Sequence, residues 1–89
     1  MAFLLTNYFM DYFFYILYSA SLDRYYTGYT ADVAERLKKH NAKHKGFTGK
    51  TDDWELIYFE KYPDKESAKK REKQVKGWKS RKMIESLLK

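Results

Sequence analysis

The chain has no cysteine, one proline and four glycines in 89 residues. Without cysteine, neither a disulfide framework nor a thiolate zinc site can hold it together. A chain of this length buries only about 60–65% of the surface its unfolded form exposes, which allows one modest core and no second domain. Long apolar runs are missing too. The most hydrophobic stretch, residues 1–18 (MAFLLTNYFMDYFFYILY), is interrupted by Asn7 and Asp11. At most seven consecutive residues are apolar, where a bilayer span needs about 20. No Lys or Arg precedes Arg24, so the basic start of a signal peptide is absent as well. Ser19-Ala20-Ser21 resembles a cleavage site, but cutting there would discard the best strand in the chain. The expectation is a cytoplasmic protein with no membrane partner.

What is present is aromatic and basic. Hydrophobic residues make up 44% of the chain, with nine Tyr, six Phe and two Trp among them, enough for a folded core. Eighteen Lys and Arg oppose 12 Asp and Glu, for a net charge of +6. Residues 1–30 carry one Arg and two Asp, so the remaining 17 basic and 10 acidic residues place +7 after residue 30. That asymmetry points to a polyanionic partner, nucleic acid before others. A lysine-rich solvated surface is the alternative.

The chain reads as an α+β domain, a small three-stranded antiparallel sheet flanked by helices in the order β-β-α-β-α-α. Residues 1–10 form an N-terminal extension and 11–89 the single domain. Tyr12 to Ser19 (YFFYILYS) is bulky on both parities, as suits a strand covered on both faces. Tyr25 to Thr30 (YYTGYT) closes a hairpin with it. A four-residue loop over 19–22 would set Tyr15 opposite Tyr26, with Gly28 leaving an open spot for a ligand beside Tyr26. A helix follows from about Ala31 to Asn41, with Thr30 and Asp32 as candidate caps. Ala42 to Asp53 is a basic loop, and Lys43, His44, Lys45 and Lys50 in it are candidate contacts to a phosphate backbone. Trp54 to Tyr62 is the third strand, with Trp54, Ile57 and Phe59 read as core, as is Trp78 further on. Asp64 caps a helix that Gly77 should stop. Ser80 caps a last helix whose stripe is Met83, Ile84, Leu87 and Leu88.

Two helices carry an anomaly. At 100° per residue, Arg36 and His40 fall on the same stripe as Val33 and Leu37. On the later helix Glu72 shares the stripe of Ala68 and Val75, while Lys70, Lys73 and Gln74 face away. A charge turned inward is costly unless it is paired or holds a metal. Two readings stand: an internal Arg36–Glu72 ion pair, or a polar site in which Glu72 holds a divalent cation and Arg36 faces phosphate. Glu60 is a weaker rival for the metal, otherwise a surface charge.

The run Phe13-Phe14-Tyr15, then Tyr26-Thr27-Gly28, then Arg36 and His40 in ERLKKHN and Glu72 in AKKREKQVKGW resembles the ordered motifs of the GIY-YIG nuclease superfamily. It is most similar to the small stand-alone bacterial group related to the N-terminal nuclease domain of an excinuclease. The likeness covers about residues 12–85. The first signature keeps its Tyr but not its Gly. This resemblance implies a DNA endonuclease that hydrolyses a phosphodiester with one divalent ion, Mg²⁺ or Mn²⁺, held by Glu72, and with no small-molecule cofactor. It implies Tyr15 as general base or water-positioner, Tyr26 as orienter of water or phosphate, and Arg36 as stabiliser of transition-state charge. His40 would assist proton transfer or bond a phosphate. Thr30, with Tyr29, falls on the same rim, where it would touch nucleic acid or serve as a cap. DNA repair or recombination is the implied setting. The alternative is a nucleic-acid-binding accessory module that cleaves little or not at all.

Overall fold

The computed structural model describes residues 11–89, so the expected extension over residues 1–10 lies outside the described residues. Strands β1 (Tyr12–Ser19), β2 (Arg24–Thr30) and β3 (Trp54–Tyr62) form one antiparallel sheet in the order β2-β1-β3. Helix α1 (Val33–Asn41) and a 3₁₀ turn (Phe47–Lys50) lie between β2 and β3. Helices α2 (Lys65–Trp78) and α3 (Arg81–Ser86) follow. The α+β class and the element order are those the sequence predicts.

β1 is the central strand, which explains its composition. Phe14, Tyr15, Ile16 and Leu17 are all at most 1% exposed, because side chains of alternate parity are covered from opposite sides. Burying each contributes about 1.5–3 kcal/mol. On one side Phe14 and Ile16 meet Val75 of α2, with Trp78, Ile84 and Leu87 around them. On the other side Tyr15, Leu17 and Trp54 form a second cluster with Tyr26, Leu37 and Leu56. The sheet therefore separates two small cores, one under α2 and α3, the other under α1.

Several details differ from expectation, each for a local reason. The hairpin loop is Ala20–Asp23, with Asp23 in the left-handed region at φ 52°. The register is thereby displaced by two residues, so Tyr15 opposes Gly28 and Leu17 opposes Tyr26. An even displacement keeps every side chain on its face. β3 is an edge strand and bulges where the partners jump from Ile16–Tyr58 to Leu17–Leu56. Ile57 is the extra residue, and it is 37% exposed while Phe59 is 54% exposed; neither is core. Asp32, not Thr30, caps α1 by accepting from the Glu35 N–H. Asp64 and Ser80 cap α2 and α3 as predicted. Gly77 lies inside α2, and the left-handed residue that ends the helix is Lys79 at φ 50°. In the last helix Ile84 and Leu87 pack inward, while Met83 and Leu88 stay exposed.

Candidate active site

β2 is the other edge of the sheet, and the cleft that matters wraps around it. α1 reaches this edge from one face and α2 from the other. The cleft has a volume of about 520 Å³ and is lined by Tyr15, Tyr26, Gly28, Arg36 and Glu72. Thr30, Lys65 and Lys76 complete its charged and polar rim. A second groove of about 670 Å³ shares Tyr26 and Arg36 with the first and continues past His40, His44 and Phe47. Four of the five expected catalytic residues thus line one cleft. The fifth, His40, stands behind Tyr15.

Gly28 does something other than leave space for a ligand. A Cβ built there would lie 2.5 Å from the Tyr15 hydroxyl oxygen. The missing side chain is what lets the Tyr15 ring cross β2, and the spot is filled from within. Tyr15 is 1% exposed, and its hydroxyl lies 2.8 Å from His40 Nε2. Burial is the main force raising the Tyr15 pKa well above its ordinary value, with the neighbouring Tyr26 and Glu72 adding and Arg36 opposing. The phenol is neutral at pH 7 in this state of the site.

His40 is buried at 7% exposure. Its pKa is lowered to about 4, by burial first and then by the positive Arg36, with His44 adding to the effect. A neutral imidazole results, donating from one nitrogen and accepting at the other. Nδ1 lies 2.8 Å from Thr48 Oγ1, and Thr48 Oγ1 lies 2.9 Å from His44 Nε2. Thr48, 2% exposed in the 3₁₀ turn, is a residue that sequence reasoning missed. A threonine among lysines and glycines carries no periodic signal, and only the fold puts it behind His40.

Arg36 and Glu72 do not pair with each other. α1 and α2 cover opposite faces of the sheet, so their inward stripes never meet across a core; this overturns the internal ion pair. Arg36 is exposed at the rim and has no salt bridge among the described residues. Glu72 is 13% exposed in its side chain, with Oε2 accepting from Thr27 Oγ1 at 3.3 Å and lying 3.4 Å from Lys76 Nζ. Oε1 has no partner among the described residues, and no buried side-chain oxygen or nitrogen there is unpartnered, so Oε1 faces open space. Glu60 is elsewhere. It accepts a two-pronged bond from Arg71 at 2.9 and 3.1 Å and hydroxyl bonds from Tyr58 and Tyr62. It is neither a free surface charge nor a metal ligand.

No group of three or more His, Cys, Asp or Glu converges among the described residues, which rules out a closed all-protein cage there. A single fixed carboxylate with one open oxygen fits Mg²⁺ or Mn²⁺, hard cations that keep waters and take further oxygens from a phosphate. The basic loop holds Lys43, Lys45 and Lys50 exposed, with Lys50 Nζ 5.5 Å from the Phe47 ring centre. Thr30 is almost buried and its hydroxyl accepts from the Asp32 N–H at 3.2 Å, which supports the start of α1.

A family model for the GIY-YIG catalytic domain matches residues 11–85. The chain belongs to the GIY-YIG family. It is 34% identical over 70 residues to a UPF0213 protein of Haloquadratum walsbyi, covering 76% of this chain and 78% of that one. It also resembles the solution NMR structure of a UPF0213 protein from Bacillus halodurans, at 36% identity and a TM-score of 0.56, covering 89% of this chain and 83% of that one. Within the GIY-YIG frame, the Tyr15 hairpin, the Arg36 helix and the Glu72 helix occupy the three walls of one cleft. No described helix is long and apolar enough to cross a membrane.

Proposed function

We propose that the protein is a divalent-metal-dependent endonuclease acting on DNA in the cytoplasm, in repair or recombination. One observation carries this reading: a guanidinium with no salt bridge among the described residues and a half-held carboxylate face the same open cleft instead of neutralising each other. Arg36, planar and permanently charged, would take the charge growing on the phosphoryl group, a task its fork suits better than Lys. Glu72 would hold the cation through Oε1 while Thr27 and Lys76 keep Oε2 in place. When bound, such an ion polarises a phosphoryl oxygen and stabilises the leaving oxygen. Tyr15 and Tyr26 would bracket the attacking water and the phosphate, and Lys65 and Lys76 would draw the backbone in. Lys43, Lys45 and Lys50 would add contacts to flanking phosphates.

The test is the full chain incubated with supercoiled, branched and single-stranded DNA, and with RNA, in Mg²⁺ or Mn²⁺. Glu72→Gln should fold with a thermal midpoint within a few degrees of the parent, keep its affinity for DNA and lose cleavage. A wild-type protein that binds but never cuts would make it a binding module. A Glu72→Gln variant that still cuts would remove the carboxylate from the reaction.

A further inference from the structure

The polar chain behind Tyr15 has a direction, and the backbone sets it. Its outer end is the Gly46 N–H, which donates to His44 Nδ1 at 3.0 Å. An amide N–H can only donate, so His44 Nδ1 is the acceptor in this bond and the ring carries its proton on Nε2. That proton points to Thr48 Oγ1, 2.9 Å away. The Thr48 hydroxyl then has its own proton to place. It is buried, and the one other side chain within bonding distance among the described residues is His40, with Nδ1 at 2.8 Å. Donation there makes His40 Nδ1 an acceptor. His40 is neutral, so its proton is on Nε2, the nitrogen 2.8 Å from the Tyr15 hydroxyl.

We infer that Thr48 and His44 are positioning residues that lock His40 as the Nε2–H tautomer. The Tyr15 oxygen then receives a hydrogen bond from behind and its own proton is presented to the cleft. His40 is therefore not a base for Tyr15. Passing the Tyr15 proton inward would either leave the buried Thr48 hydroxyl proton without an acceptor side chain or reverse every bond in the chain, ending with an N–H of His44 against the N–H of Gly46. Tyr15 meets the substrate as a hydrogen-bond donor, aimed where an anionic phosphate oxygen or the attacking water would be. A third group that fixes an imidazole tautomer is known to matter greatly in other hydrolytic sites; here a threonine and a second histidine serve, outside the motif-bearing elements. The charged and titratable groups around His40 are Arg36 on its own helix, Tyr15 and Tyr26 from the sheet, and His44 from the loop.

The inference deepens the nuclease reading, yet it can be tested without any cleavage. Long-range proton–nitrogen correlation spectra of the intact chain should show His40 protonated on Nε2 alone at pH 7, and the neutral form of His44 as the Nε2–H tautomer. In Thr48→Val, which removes the hydroxyl at nearly constant volume, His40 should show a mixture of tautomers, and Thr48→Ser should restore the single form. Cleavage should fall about 10-fold in kcat in Thr48→Val with KM unchanged, and recover in Thr48→Ser. A wild-type His40 protonated on Nδ1 would overturn the inference, even if Thr48→Val failed to fold. Correct tautomers in a protein that never cuts would leave the inference standing and sink the nuclease reading instead.

Discussion

The two faces of the sheet each bury a polar cluster, and the clusters differ in how they end. Under α2, Glu60 is met by the Arg71 fork and by two tyrosine hydroxyls, and Arg71 also lies over the Phe14 and Trp78 rings. Every charge in that knot is answered within it. Under α1, the chain from Gly46 to Tyr15 runs outward to a cleft where Arg36 has no anion among the described residues. A closed network stabilises, whereas an open one has capacity left for a ligand. The two arginines make the same point: Arg71 is consumed by the fold, and Arg36 is left available by it.

The comparison can be broken most forcefully at Arg71. Arg71→Met leaves Glu60 partly buried with two neutral donors, which should cost about 3 kcal/mol in urea unfolding, while cleavage per folded molecule stays unchanged. A loss of turnover beyond the loss of folded protein would mean the α2 knot also serves the site. Arg36→Lys should do the reverse. We expect cleavage to fall roughly 10²-fold with little change in thermal midpoint, because Arg36 is exposed and has no salt bridge among the described residues. Near-normal turnover would reduce Arg36 to a point charge.

Acid sharpens the contrast next. His40 titrates near pH 4 in the folded chain against about 6.5 unfolded, so below pH 6.5 the unfolded state takes up a proton that the native state resists. The stability this provides is complete above about pH 6.5 and lost progressively towards pH 4. Between pH 7 and pH 5 the loss should be about 2 kcal/mol, measured by urea unfolding at a series of pH values. His40→Gln should flatten that part of the profile; a profile equally steep in the variant would assign the loss to other groups.

How much of this is legible in the sequence depends on range. The caps at Asp64 and Ser80, the hairpin and the central strand rest on neighbours in sequence and read correctly. The hairpin register does not, since Ser19 and Ala20 are both acceptable turn residues and only the fold chooses between them. Ile57 and Phe59 look like core by composition, yet an edge strand with a bulge turns them outward. The Arg71–Glu60 pair is within reach: on the helical wheel Arg71 falls on the same stripe as Ala68 and Val75, and Glu60 shares parity with Tyr58 and Tyr62. The Arg36–Glu72 pair suggests itself because a wheel shows that a residue faces inward, not which face of a sheet it faces. Thr48 is beyond any local pattern.

The smallest expected effect is at Gly77. A Cβ there meets nothing within 4 Å and the residue lies inside α2. Gly77→Ala should therefore stabilise the domain by about 0.5–1 kcal/mol, seen as a raised thermal midpoint with cleavage unaltered. A lowered midpoint would show that the C-terminal turn of α2 needs glycine after all.

Gly28 allows no such freedom, and its constraint has a genetic form. Positions 15 and 28 are thirteen residues apart along the chain, yet the Tyr15 hydroxyl occupies the volume that any side chain at 28 would need. In a library that randomised both codons and selected only for folding, a tyrosine at 15 should be recovered together with glycine at 28. Bulkier residues at 28 should return only beside a shortened residue at 15. The two codons would then be inherited as a single character, so the hairpin could drift in sequence only by surrendering the tyrosine that the cleft is built around.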